Sequence, residues 1–478
     1  MAQGLAALEE QVRRDLRHLA YPEKEWVTPR PAPDGRPFTD VLIVGGGQGG
    51  SAIAFGLKRE RVTNIRVIDA APAGEEGPWL SFARMETLRS PKFLTGPDLG
   101  IASLTFQAWH EAQFGIDGWD RLGKIPKAQW AAYLHWLRRM AGVTVENGVR
   151  LTAIAPIEGG FAATLARAGT RETAYARKIV LATGIEGSGG WHVPDGLTAH
   201  LPRDRWAHSC DPIDFERLRG RRVAVLGVAA SGFDNAATAL EAGAAEVHLF
   251  SRRPDVQTVQ PYKHLMWAGF LRHFADLDDP WRWRFMNYLL GIREALPTET
   301  WERTIRHANL RLHTGSPWRE TRMADGMVEV TTPKATHAFD FLIFGTGLVV
   351  DLARRPELAG IAPQIAIWAD RYTPPAEEAN PWIAAYPYLD PGFAFTEKTP
   401  GRAPYLRDIH VFTFGATVSL GLSGSSINGM KFAVPRLVAA ISRDLFRADA
   451  PAHFESLLAY RVPEFDIAAL PPGILAAD

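Results

Sequence analysis

Residues 39–70 read TDVLIVGGGQGGSAIAFGLKRERVTNIRVIDA. Val41 to Val44 is a short continuous apolar run, the pattern of a strand buried on both faces of a parallel sheet. The glycines follow at once, and Ala52, Ile53, Phe55 and Leu57 open a helix. Ile65 to Ile68 is a second strand ending at Asp69. The whole is a βαβ unit of about 30 residues. Gly45-Gly46-Gly47-Gln48-Gly49-Gly50 satisfies G-x-G-x-x-G. Gly45 permits the tight turn, Gly47 lets a pyrophosphate approach the backbone, and Gly50 permits close helix–strand packing, with the helix N-terminus facing the phosphates. Asp69 stands nineteen residues past Gly50, where a carboxylate accepts hydrogen bonds from ribose hydroxyls.

A second unit occupies residues 220–253, GRRVAVLGVAASGFDNAATALEAGAAEVHLFSRR. Val223 to Leu226 and Val247 to Phe250 are its strands, with a helix from Phe233 to Leu240 between them. Its turn, Gly227-Val228-Ala229-Ala230-Ser231-Gly232, is a degenerate copy of the first. Nineteen residues past Gly232 stands Ser251, followed by Arg252 and Arg253. The carboxylate of the first unit is replaced by a hydroxyl and two guanidiniums, which pair with a 2′-phosphate. A solvated turn is the lesser alternative for the two arginines. Together the units call for FAD in the first site and NADPH in the second.

Lys178 to Leu181 runs into Ala182-Thr183-Gly184, and Phe341 to Phe344 runs into Gly345-Thr346-Gly347, each downstream of one unit. The expected fold class is α/β, with two Rossmann-like dinucleotide-binding domains and the NADPH domain inserted in the FAD domain. The expected division begins with an N-terminal helix and arm (1–39) and the first segment of the FAD domain (40–216). An NADPH domain with an aromatic-rich helical insertion (217–346) follows, and then the second segment of the FAD domain (347–478).

The remaining composition narrows the function. The chain has 478 residues, 53 basic against 53 acidic, and one cysteine. Zero formal net charge argues against a general nucleic-acid or polybasic membrane binder. Cys210 alone excludes an internal disulfide framework and a CxxC redox pair, and reads as a packed thiol. No apolar run reaches the ~20 residues of a membrane span. Leu5, Leu8, Val12, Leu16 and Leu19 mark an amphipathic helix lying on its own domain. A cytoplasmic enzyme is expected. The aromatics between Tyr262 and Trp301 suit either a roof over a flavin or, the favoured reading, the core of helices inserted in the NADPH domain.

With these motifs the chain resembles the two-dinucleotide-binding flavin monooxygenases, which comprise flavin-containing, Baeyer–Villiger and N-hydroxylating groups. Glu76-Gly77-Pro78-Trp79 resembles their G-G-x-W segment beside the flavin, and residues 340–347 (DFLIFGTG) their D-x-x-x-x-A-T-G linker. Of the fingerprint ahead of the second unit only His208 is present; Pro212 holds the aromatic position. Ile125-Pro126-Lys127 leading to Tyr133 and Trp136, and Gly421-Leu422-Ser423 after Leu420, are similar to the P-x-R…Y-x-x-W and H-G-L-S segments of the N-hydroxylating group. The resemblance implies cofactor contacts at Gly45, Gly47, Gly49, Gly50, Asp69, Trp79, Thr183, Gly184, Gly415, Leu422 and Ser423 for FAD. For NADPH it implies Gly227, Ser231, Gly232, Ser251, Arg252, Arg253 and His208, although a satisfied loop histidine is the plainer reading of the last. It implies oxygen transfer from O2 by way of a flavin C4a peroxide to the nitrogen, sulfur or carbonyl carbon of a small molecule. The sequence singles out no catalytic acid or base, and no metal site is expected. The alternative is a flavin reductase passing electrons to a quinone or protein without oxygen transfer.

Overall fold

The computed structural model describes residues 2–19, 23–93, 96–422, 426–471 and 473–474. The apolar run after the proline-rich arm forms strand Thr39–Val44, buried along nearly its whole length. It lies at the centre of a parallel array ordered Glu146–Asn147, Ile65–Asp69, Thr39–Val44, Thr170–Leu181 and Ile409–Val411. The first half of Thr170–Leu181 turns away into an antiparallel meander with Gly160–Arg167 and Arg150–Ile157. Helix Gln48–Arg59 covers one face of the array and buries Gly50 through Leu57. The long helix Ile427–Ala459 packs upon it so closely that a Cβ at Gly56 would lie 2.8 Å from Val438 Cγ2. The N-terminal helix Ala2–His18 docks its apolar stripe on the same body. Val12 is fully buried there, and Leu5, Leu8 and Leu16 pack around it.

The second sheet is wholly parallel, in the order Leu310–His313, Glu246–Phe250, Arg222–Leu226, Phe341–Phe344 and Trp206–His208. Helix Ala230–Glu241 buries its apolar face on it, and a three-stranded antiparallel sheet of residues 320–339 covers the other side. Two crossings join the bodies, and they pair with each other: Gly189–Trp191 runs antiparallel to Leu348–Val350. A Cβ at Gly189 would stand 1.9 Å from the Val349 carbonyl oxygen, so the ribbon closes only around a glycine.

Two sequence expectations shift. Trp206–His208 hydrogen-bonds within the second sheet, so a boundary at 216/217 falls inside that body; the chain crosses at the ribbon. The aromatic-rich helices do not form a core inside the second body. Phe270, Phe274, Trp283 and Met286 bury themselves against Trp368, Tyr386 and Val418 of the returning segment. They share apolar surface with the stretch of chain that leads back to the first sheet, because the second sheet already has both faces covered.

Candidate functional site: two glycine turns on one ribbon

Both turns have the same local physics. Gly45 has φ +110° and Gly227 has φ +121°, the left-handed region that favours glycine. A Cβ at Gly45 would meet the Ala182 carbonyl oxygen at 2.3 Å, and one at Gly227 would meet the Gly345 carbonyl oxygen, also at 2.3 Å. The Gly45 N–H donates to Ile68 O at 2.7 Å, and the Gly227 N–H to Phe250 O at 2.9 Å. Gly50 and Gly232 in turn lie against the carbonyls of Gly45 and Gly227. The two Thr-Gly strand ends thus occupy equivalent places, each one strand over from its own glycine turn.

The first turn opens into a cavity of about 470 Å³ lined by Gly45, Gly47, Gln48, Gly49, Asp69, Trp79, Thr183, Gly184 and Phe412 among others. One Asp69 carboxylate oxygen accepts the Gly46 N–H at 2.7 Å and the other accepts the Ala71 N–H at 2.8 Å. This clamps the carboxylate at the strand end with lone pairs to spare for a ribose. Thr183 Oγ1 and Trp79 Nε1 are buried without a hydrogen-bond partner, an arrangement a polar ligand in the cavity would complete. These residues fit FAD. Gly415 lies behind the cavity, where a Cβ would come within 2.2 Å of Ser188 Oγ. Leu422 packs into the aromatic cluster, and Ser423 lies outside the described residues.

Of three further features, only Tyr133 and Trp136 carried a sequence signal. Arg138 donates to Gly46 O and to Glu76 Oε2, each at 2.9 Å, and Asn147 donates to Glu76 Oε1 at 2.8 Å. Burial pushes the Glu76 carboxyl up, but the bonds from Asn147 and Arg138 prevail and hold it below its ordinary value. Tyr133 and Trp136 form the wall behind Trp79; the Tyr133 hydroxyl donates to Leu104 O at 2.7 Å and faces no ligand space. Arg89 reaches from the first body to Asp234 on helix Ala230–Glu241 at 3.4 Å, where Thr300 also donates at 3.0 Å.

At the second turn, Ser231 Oγ donates to Ser209 Oγ at 2.9 Å, and the buried Ser251 Oγ accepts the Arg253 N–H at 3.1 Å. The two arginines differ. Arg253 donates to Gly291 O and Ile292 O, at 2.9 and 3.1 Å, the last carbonyls of helix Asp279–Ile292. Arg252 is exposed. Next to that helix end, Arg293 lies 4.7 Å over the Trp382 ring. Partial burial, then the guanidiniums of Arg253 and Arg252, lower its pKa. Three guanidiniums near one strand end fit the 2′-phosphate of NADPH. His208 is engaged elsewhere: Nε2 bonds Gly347 O at 3.0 Å, Nδ1 accepts the Cys210 N–H at 3.2 Å, and the ring stacks on Trp191. Both nitrogens are spent on backbone, so His208 positions the crossing rather than gripping a phosphate. Burial raises the Cys210 thiol to about 12, the state of an unreactive packed thiol. Among the described residues no His, Cys, Asp or Glu cluster could hold a metal, and no helix is long and apolar enough to cross a membrane.

Residues 42–186 match a family described as FAD-NAD(P)-binding. The fold is similar to that of the ornithine N-hydroxylase of Kutzneria sp. 744, with TM-score 0.66 and 16% identity over 85% of this chain and 100% of that one. It is also similar to the L-lysine 6-monooxygenase of Pseudomonas syringae, with TM-score 0.62 and 19% identity over 85% of this chain and 99% of that one. The FAD-dependent urate hydroxylase of Xanthomonas campestris pv. campestris is 44% identical over 462 residues, covering 97% of both chains. Two equivalent glycine turns in two sheets, and that identity along nearly the full length, have one reading: the chain belongs to the family of the FAD-dependent urate hydroxylase and is a flavoprotein monooxygenase.

Proposed function

We propose that the chain hydroxylates urate, or a purine of the same oxidised class, with NADPH as reductant and O2 as the oxygen source. The observation that carries the substrate is the 44% identity along 97% of both chains with the urate hydroxylase; the paired turns support the two dinucleotides. In this reading residues 40–191 and 348–478 hold FAD, residues 192–347 hold NADPH, and residues 1–39 brace the first body. The reaction belongs in the cytoplasm, where NADPH is regenerated.

Bound FAD supplies hydride acceptance from the nicotinamide and oxygen activation. The chain supplies the rest. The backbone of Gly45–Gly50 and the N-terminus of helix Gln48–Arg59 hold the FAD pyrophosphate, Asp69 its ribose, and Thr183 and Trp79 polar atoms of its body. The turn at Gly227 holds the coenzyme pyrophosphate, and Arg252 with Arg293 the 2′-phosphate. Phe82 lines the first cavity and meets Trp191 edge-on at 5.7 Å; Trp191 stacks on His208 at 5.3 Å. This aromatic wall runs from the cavity to the ribbon and keeps water from the space between the two sites.

The test is NADPH oxidation in air with urate, ornithine and lysine offered separately, and mass spectrometry of the product under ¹⁸O2. Urate-dependent oxidation with one ¹⁸O in the purine product is expected. Equal NADPH consumption with and without urate, and no labelled product, would defeat the reading.

A further inference from the structure

Helix Ile427–Ala459 is 33 residues long, and the body of the protein uses only its first two-thirds. Met430, Val434, Leu437, Ile441 and Leu445 are buried in the main core. The last polar anchor is Asp449, which accepts from Arg177 at 2.8 and 3.0 Å, from Arg30 at 2.5 Å and from the Thr28 N–H at 3.1 Å, and one turn on His453 packs against Trp26 with ring centroids 6.2 Å apart. Beyond His453 the chain leaves the body. From residue 450 onward every described residue is exposed, save a half-buried His453. Yet this stretch is rich in large apolar side chains. Phe454, Leu457 and Leu458 share one face of the helix end, and Tyr460, Val462 and Phe465 follow on the arm, all between 50% and 75% exposed.

A helix end of about ten residues is marginal in water without a packing partner. Monomeric proteins rarely expose an apolar patch beyond a few hundred Å². With roughly 100 Å² open on each of these side chains and further apolar residues as far as Ile474, the patch is on the order of 800 Å², one side of a standard interface. Its charges are Glu455, Arg461, Glu464 and Asp466, without a lysine. That is the wrong sign for an anionic lipid surface, which attracts basic segments. Across a two-fold axis Arg461 of each copy can meet a carboxylate of the other, with the remaining carboxylates left on the solvated rim.

We propose that the end of helix Ile427–Ala459 and the arm after it form a self-complementary interface with a second copy of this chain. The two helix ends pair about a two-fold axis through Phe454, Leu457 and Leu458, and each arm lies on its neighbour. The interface is remote from both glycine turns, so the proposal stands apart from the reading of function.

Sedimentation velocity of the FAD-loaded protein at micromolar concentration tests it. Wild type and Phe454→Leu are expected at twice the chain mass or a multiple of it. Leu457→Glu combined with Leu458→Glu should fall to a lower mass with flavin content and circular dichroism preserved. Leu458→Cys, in a chain whose only other thiol is the packed Cys210, should give a covalent dimer with a short bis-maleimide; this arm needs no destabilising charge. A single-chain mass for wild type, an unchanged mass for the double variant, or no cross-link would overturn the proposal. Wild-type monomer that floats with phosphatidylcholine–phosphatidylglycerol vesicles would overturn it too, and would identify a lipid partner instead.

Discussion

Arg138 holds Gly46 from 92 positions away, donating to its carbonyl oxygen at 2.9 Å while pairing with the buried Glu76. The residue has two effects. It fixes a peptide inside the first glycine turn, and it offsets the burial of a carboxylate beside the cavity. Removing one partner of a buried pair costs about 3–5 kcal/mol because the other is left uncompensated. Arg138→Ala should therefore weaken FAD retention about a hundredfold, while Arg138→Lys recovers some of it. The ratio of flavin to protein absorbance after gel filtration, with FAD titrated back by flavin fluorescence, checks this.

The two turns separate by substitution. Gly45→Ala places a Cβ 2.3 Å from the Ala182 carbonyl at a φ of +110°, and should yield protein without flavin. Gly227→Ala creates the matching clash with Gly345, and should yield yellow protein that NADPH no longer reduces without air. Anaerobic stopped-flow reduction of each variant, with dithionite as the control reductant, reads both outcomes. Loss of flavin from Gly227→Ala would reverse the assignment.

Coenzyme choice should rest on Arg252 and Arg293 more than on Arg253. A charge-assisted hydrogen bond contributes about 1.5–3 kcal/mol, so Arg252→Ala or Arg293→Ala should lower the NADPH/NADH ratio of kcat/KM about ten- to a hundredfold. Arg253 caps the carbonyls of Gly291 and Ile292. Arg253→Ala should chiefly lower stability, by about 1 kcal/mol in a denaturant titration. A wild type that prefers NADH would end the 2′-phosphate reading.

The buried histidines should make stability fall on mild acidification, and Asp40, whose carboxyl burial raises to about 6, offsets part of that fall. Burial, reinforced by Lys178, lowers His410 to about 3, and burial, reinforced by His248 and His337, lowers His313 to about 4. The unfolded chain protonates these imidazoles near the ordinary value of about 6.5. Below that pH the unfolded state binds more protons than the native state, so stability present above about 6.5 is lost as the pH falls toward 4. The unfolding temperature should be nearly level from pH 7 to 8 and decline below 6.5, with a shallower decline in His313→Gln. A level profile down to pH 5 would contradict this.

The order of strand, glycine turn and helix could be read from local sequence in both units. Those rules are short-range: an apolar run buries itself, a glycine takes a positive φ, and a helix N-terminus follows at a fixed spacing. Asp69 and Arg252 could be located for the same reason, since they stand at a fixed count from their turns. What tertiary structure alone decided lies at long range. Glu76 looked like a lost glycine until Arg138 and Asn147 arrived around it from a helix and a strand more than 60 residues on. Arg252 and Arg253 were equivalent as neighbours in sequence, and only the end of helix Asp279–Ile292 distinguished them by taking Arg253 as its cap. His208 was a candidate ligand until two backbone groups occupied its ring. The aromatic residues announced burial without saying against what, because hydrophobic burial has no direction. The packing of Trp283 against Trp368 and Tyr386 required the chain to return from the second body. The sequence determined the two units and their turns; folding selected which charges pair, because a hydrogen bond is specific only once both partners are in place.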